Sequence, residues 1–343
     1  MNTRFDMNAG IAGLAFLLTV SAGSELAKTE AQPTPVGETV SRERLSDEQL
    51  IKGLNDALRD ARASKGSGAP AMWRLADDDT TIHLFGTVHL LRPGLEWRTG
   101  AINQAIEEAG TIVFETDTLS PKAQRAIAKE FVQRGMLSDG RTLKGILNKK
   151  EGAVVNTAFE SVGVSLQRMN QVEPWMASVN LGVLKMMNDG HDPRAGVESV
   201  IATEAKAAGK SVVYLETLSQ QTDAFDLLPE KEQINMLYGT ALLLDESPQL
   251  FDILVDEWAD GDVEGIAKLV ANPNGFGSTE ATYQSFLVNR NAAWVPQIEA
   301  MLDEPGSVFI AVGAGHLAGK DSVITMLRDR GHKVEGPLTA EVD

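Results

Sequence analysis

The chain has no cysteine. Disulfides, thiolate metal sites, a cysteine nucleophile and a lipidated amino-terminal cysteine are therefore excluded. Basic residues are few: 31 lysines and arginines stand against 48 acids, a formal net charge of −17. Nucleic-acid binding needs a concentrated basic surface, and none is evident, so nucleic acid is not an expected partner. Long apolar runs are missing as well. The best candidate, Ile11–Val20, is too short for a comfortable membrane-spanning helix. Several familiar signatures are also absent: a Gly-x-Ser-x-Gly elbow, a phosphate-binding glycine loop, a His-Glu-x-x-His helix and a dinucleotide fingerprint.

What is present begins with that short segment. Arg4 precedes it and the small residues Ser21-Ala22-Gly23-Ser24 follow, the layout of a secretory signal peptide over residues 1–27. Export to the periplasm or the medium is the expectation. Asp6 weakens the positive start, and an uncleaved anchor is the alternative. Residues 28–70 read as a linker rich in Pro, Thr and Glu, then a helix over Leu45–Ser64 broken by Gly66, Gly68 and Pro70.

From residue 71 to 343 the pattern is that of one α/β domain, of a size that buries a substantial core. Met72–Leu75 and Thr81–Gly86 flank an acidic turn and predict a hairpin. Strand–helix–strand units follow, with helices over Trp97–Ala109, Val197–Ala208 and Asp321–Arg330. Such units force parallel pairing. The strands ending near Glu115, Glu216 and His316 are continuously apolar, as expected when helices cover both faces. The fold class is thus a central, mostly parallel sheet flanked by helices. Two long stretches, 120–190 and 220–304, carry helical patterns, including Pro174–Asn188 and Pro229–Leu244. They are expected to pack over the carboxyl edge of the strands as a lid or groove.

Four strand ends carry chemistry. Phe85-Gly86-Thr87-Val88-His89 and Val312-Gly313-Ala314-Gly315-His316 are twin Gly-x-x-His elements; Val113-Phe114-Glu115 and Tyr214-Leu215-Glu216 end in acid. Ligands of open parallel sheets sit outside the carboxyl ends of the strands, so these four residues predict one site. Two imidazoles with one or two carboxylates suit a divalent ion such as zinc, manganese, cobalt or iron. Such an ion lowers the pKa of its bound water, and a spare carboxylate can act as base. Strands lie about 4.8 Å apart, so four adjacent ends span roughly 14 Å. Three of the four residues, rather than all, are expected at one ion. Arg290 is a candidate to pair an acid or steady an oxyanion, and Asp117 shares a face with Glu115 if the strand continues. His83, His191 and His332 read as structural or solvent-facing, and Thr116 and Thr217 as caps.

At these residues the chain resembles the TraB/GumN family, which includes the TIKI proteins of animals. The resemblance is carried by Phe85–His89, Val113–Asp117, Tyr214–Thr217, Arg290-Asn291 with Trp294, and Val312–Gly319, with Glu173-Pro174-Trp175 and Gly190-His191-Asp192 in weaker support. It implies an α/β fold related to erythromycin esterases and to a haem-binding lipoprotein group, with the paired histidines and a glutamate at the active centre. TIKI members are described as peptidases that use manganese or cobalt. The expectation is an exported metal-dependent hydrolase acting on a peptide bond, with a peptide or small molecule as substrate. His89, His316, Glu115 and Glu216 would be metal ligands; Glu115, Glu216 and Arg290 would be catalytic. Two alternatives stand beside it: a protein that sequesters a peptide, haem or other small ligand, and a metal-free esterase in which histidine and glutamate activate water directly.

Overall fold

The computed structural model describes residues 44–138, 140–271 and 279–338. The expected signal peptide over residues 1–27 and the expected linker up to residue 43 lie outside the described residues.

Six strands form one sheet: β1 Met72–Ala76, β2 Thr80–Thr87, β3 Thr111–Phe114, β4 Ser211–Tyr214, β5 Gly306–Gly313 and β6 Val334–Glu335, in the order β4-β3-β5-β2-β1-β6. The pairs β4–β3, β3–β5 and β5–β2 are parallel, while β1 lies antiparallel to β2 and β6. The hairpin and the mostly parallel sheet expected from the sequence are both present. The helices fall close to their predicted places: Gly100–Glu108, Pro174–Asn188, Val197–Ala207, Glu230–Glu246 and Val323–Asp329.

Alternation along the strands explains the layering. Phe85, Ile112, Phe114, Phe309 and Ala311 face one side and are covered by Ile102, Ile106, Val197, Ile201 and Trp258. Leu84, Val113, Ile310 and Val312 face the other and meet Trp294, Val295, Ile298, Ile324 and Leu327. Burial on both faces is why β3 and β5 read as continuous apolar runs. β4 departs from that expectation. It is an outer strand of the sheet, and Val213 and Tyr214 stay 41% and 38% exposed. Its apolar run reflects residues beside an open edge, which periodicity cannot distinguish from a covered strand.

The two long stretches are helical as expected, and part of them builds a second core. Leu143, Val155, Phe159, Trp175, Met176, Leu237 and Ala241 pack together there, with Phe225 and Phe286 against them. The helix Asp47–Ala63, opened by a capping box at Ser46, buries Leu54, Leu58 and Ala61 against Leu243, Leu250 and Leu269. No helix among the described residues is long and apolar enough to cross a membrane.

Candidate active site

β2, β5, β3 and β4 are consecutive in the sheet, so the residues just past their ends line up as His89, His316, Glu115 and Glu216. The twin motifs begin side by side, with Thr87 opposite Gly313 in the β2–β5 ladder. A Cβ on Gly86 would lie 3.2 Å from both the Cα and Cβ of Ala314. Glycine is therefore what lets the two turns pass at that distance. Trp258, beneath them, donates from Nε1 to the Gly86 carbonyl at 2.7 Å.

Three of the four residues converge on a cation, and that cation is Arg290. Its Nη2 donates to Glu115 Oε2 and to Glu216 Oε1, each at 2.6 Å, and its Nε reaches Glu216 Oε2 at 3.1 Å. Nη1 donates to the Phe286 carbonyl and to His316 Nε2, both at 3.1 Å. A guanidinium can only donate, so His316 Nε2 presents its lone pair. The proton of that ring then sits on Nδ1 and is given to Asn291 Oδ1 at 2.6 Å. Asn291 is anchored in turn, donating to the Asp321 carbonyl at 2.8 Å. Trp294 closes the back, its ring centroid 4.4 Å from that of His316 and 4.9 Å from the Arg290 carbon.

Arg290, Asn291 and Trp294 come from one helix, Asn289–Ala300, where Trp294 neighbours Arg290 at a spacing of four and Asn291 at a spacing of three. A π-helical turn over Gln284–Val288 precedes it. Such wider turns recur at functional sites. Here the Phe286 carbonyl, inside the turn, receives Arg290 Nη1 and fixes the guanidinium from behind.

His89 stands apart. Its side chain is 65% exposed, and its Nδ1 lies 2.8 Å from Glu198 Oε1. The Thr87 hydroxyl donates to the same oxygen. The Glu198 carboxylate raises His89 to about 9, with Glu115 adding to the pull. Solvent on the open side softens that attraction without reversing it. His316 has the opposite fate: burial first, then the positive charges of Arg290 and His89, lower it to about 3 against the pull of Glu115. The glutamates are split too. Burial opposes ionisation of Glu115, but the charges of Arg290 and His89 and the Gly313 N–H (2.7 Å to Oε1) outweigh it and lower its pKa. For Glu216 burial prevails over Arg290, and its pKa is raised.

Other nominated residues serve elsewhere. Asp117 accepts from the Leu119 and Ser120 backbone N–H groups at the start of helix Pro121–Arg134. Thr217 caps helix Leu218–Asp226. His332 pairs with Glu299 at 2.9 Å, and His191 is buried against the Met186 carbonyl. Glu198 and Gln221, whose Nε2 reaches Glu115 Oε2 at 3.3 Å, were not foreseen. Glu198 sits in the first turn of a predicted helix, where an acid is ordinary. The preceding Gly196 was the available signal.

A mostly parallel α/β sheet with an Arg-centred His/Glu cluster outside its carboxyl ends defines the class. Residues 71–336 match the TraB/PrgY/gumN family, and the chain belongs to it. It is similar to an uncharacterized protein of Treponema pallidum, 19% identical over 75% of this chain and 80% of that protein. It is also similar to the uncharacterized protein YbaP of Escherichia coli, 21% identical over 72% of this chain and 87% of YbaP. No solved structure matches.

Proposed function

We propose that this chain is a hydrolase of a carbonyl-centred bond, a peptide or ester, with acid and base supplied by its own side chains. One observation carries this reading: within each like pair the surroundings drive the pKa values apart, His89 up and His316 down, Glu216 up and Glu115 down. Separated pairs of this kind mark acid and base roles. Glu216 is the base: it takes a proton from water as the water oxygen bonds to the carbonyl carbon. The imidazolium of His89 donates to the developing oxyanion, with the charge of the fully hydrogen-bonded Arg290 guanidinium behind it. As the carbon–leaving-group bond breaks, His89 protonates the leaving group, and the proton on Glu216 returns to His89 through solvent. Ionised Glu115 and neutral His316 hold the guanidinium.

A metal ion is the expectation this arrangement fits least. Glu115, Glu216 and His316 would be donors to manganese, cobalt or zinc, but all three are turned onto Arg290. A divalent ion among them would sit against a buried guanidinium. The residues as arranged do not fit it, and no step above runs through one. Export is proposed on the amino-terminal segment alone, with a peptide or small molecule met in the periplasm or medium.

The test is hydrolysis of chromogenic esters and a quenched peptide library by chain from Glu30 onward. Assays run with chelator, then with added manganese, cobalt or zinc, beside His89→Ala and His316→Ala. The expected result is turnover that survives chelation, is lost in both variants, rises as Glu216 deprotonates and falls as pH passes about 9. Turnover only with added metal overturns the metal-free scheme in favour of a metal-dependent hydrolase. No turnover, with haem or a peptide retained stoichiometrically, overturns it in favour of a binding protein.

A further inference from the structure

We propose that Glu198 is the positioning residue of His89: it holds Nδ1 from the covered side, so that proton exchange takes place at Nε2, on the open side of the site. The proposal rests on the reading of His89 as proton donor and adds the group that sets which nitrogen does the work.

The placement begins in the backbone. Val197 N donates to the Val88 carbonyl at 3.1 Å, so the start of helix Val197–Ala207 is bonded to the middle of the first motif. A Cβ on Gly196 would lie 1.9 Å from the His89 carbonyl oxygen. The backbone at Gly196 has an ordinary φ of −59°; glycine is required there for space, so that the helix start can press on the His89 peptide. Glu198, two residues on, is thereby carried to the imidazole.

The side-chain geometry is one-sided. Glu198 Oε1 receives both His89 Nδ1 and the Thr87 hydroxyl, gathering the two residues that flank Val88. Its Oε2 is buried with no hydrogen-bond partner. The carboxylate thus commits a single oxygen to the motif. The Glu198 side chain is 19% exposed and that of His89 65%, which leaves the carboxylate covered and the ring open. No hydrogen bond is made by His89 Nε2 to any described residue. A carboxylate behind an imidazole selects the tautomer and ring orientation, and a negative charge in a first helical turn is favoured by the helix dipole. Glu198 is therefore held in place before any ligand arrives.

The experiment reads the ring directly and needs no substrate. The protein has five histidines, so His89 is assigned in nitrogen-15 spectra of the labelled protein by comparison with His89→Asn. At alkaline pH, where His89 is neutral, the wild type is expected in the Nδ1–H form. Glu198→Gln keeps an acceptor and should keep that form. Glu198→Met, similar in shape but without an acceptor, should shift the ring toward Nε2–H. In hydrolysis, Glu198→Met should lower kcat by about 10–100-fold with KM little changed, and Glu198→Gln should recover part of it. A wild-type ring found as Nε2–H, or a folded Glu198→Met with unaltered ring shifts, overturns the proposal. Because the wild-type spectrum alone can overturn it, the test stands even if the methionine variant does not fold. A chain that hydrolyses nothing still gives these spectra, so failure of the hydrolase reading is separately visible.

Discussion

The first Gly-x-x-His ends at an open rim and the second inside a wall, although the two follow neighbouring parallel strands. His89 is 65% exposed and paired with a carboxylate; the His316 side chain is 6% exposed and lies among Asn291, Arg290 and Trp294. The spacing is the same and the chemistry opposite. What differs is the packing partner. The helix start at Gly196 brings an acid to the first ring, while helix Asn289–Ala300 brings an amide, a guanidinium and an indole to the second. A repeated motif here fixes the reach of a side chain from its strand; the elements packed over it fix protonation and access.

The largest way to break the comparison is to remove the cation that only the second motif shares. Arg290→Met leaves Glu115 and Glu216 close together and buried without the cation they share. Loss of one partner from a buried ionic cluster costs about 3–5 kcal/mol. Urea unfolding should show that loss, with Arg290→Lys intermediate because a point charge cannot span both carboxylates. A midpoint unmoved by Arg290→Met would mean that the cluster is not what holds the second motif in place.

How far the sequence reached is clearest at this cluster. The four strand ends were legible because each apolar run stops at glycine or glutamate, and their parallel pairing followed from the helices between them. Arg290 was legible as a candidate. That it would occupy the position expected of an ion was not, because its aim depends on the π-helical turn at Gln284–Val288 and on tertiary contacts with no periodic signal. The open edge at β4 was hidden for the same reason: Val212, Val213 and Tyr214 have the composition of a covered strand. Glu198 was hidden by being ordinary, an acid in the first turn of a helix.

A smaller effect tests whether the two motifs touch as their backbones require. Gly86→Ala places a Cβ 3.2 Å from Ala314 Cα and Cβ, and overpacking of this kind costs about 1–3 kcal/mol. Ala314→Gly removes one of the two close contacts. In a double-mutant cycle read by thermal or urea unfolding, the pair should cost less than the sum of the singles, with coupling of about 0.5–1 kcal/mol. Additive costs would place the strain of Gly86→Ala elsewhere, for instance at the Trp258 hydrogen bond to the Gly86 carbonyl.

The sharpest comparison is one of sign, because the two motifs should respond to pH in opposite directions. His316 is held at about 3, below the ordinary 6.5, so the unfolded chain binds its proton more readily. Its contribution is complete above 6.5 and is lost as pH falls toward 3. His89 is raised to about 9, so its contribution is complete below 6.5 and is lost as pH rises through 9. Other groups share these windows: Glu115 weakens the fold as pH falls from 4.5 toward 2, and Glu257, raised to about 7, weakens it as pH climbs from 4.5. Differences between wild type and single variants separate them. Subtracting the stability curve of His316→Gln from that of the wild type should leave a loss as pH falls from 6.5 toward 3, and subtracting that of His89→Gln should leave a loss as pH rises from 6.5 through 9. The His89 difference should be the smaller, since solvent screens an exposed pair. Two difference curves of the same sign would mean that the twin histidines share one environment, against the geometry that separates them.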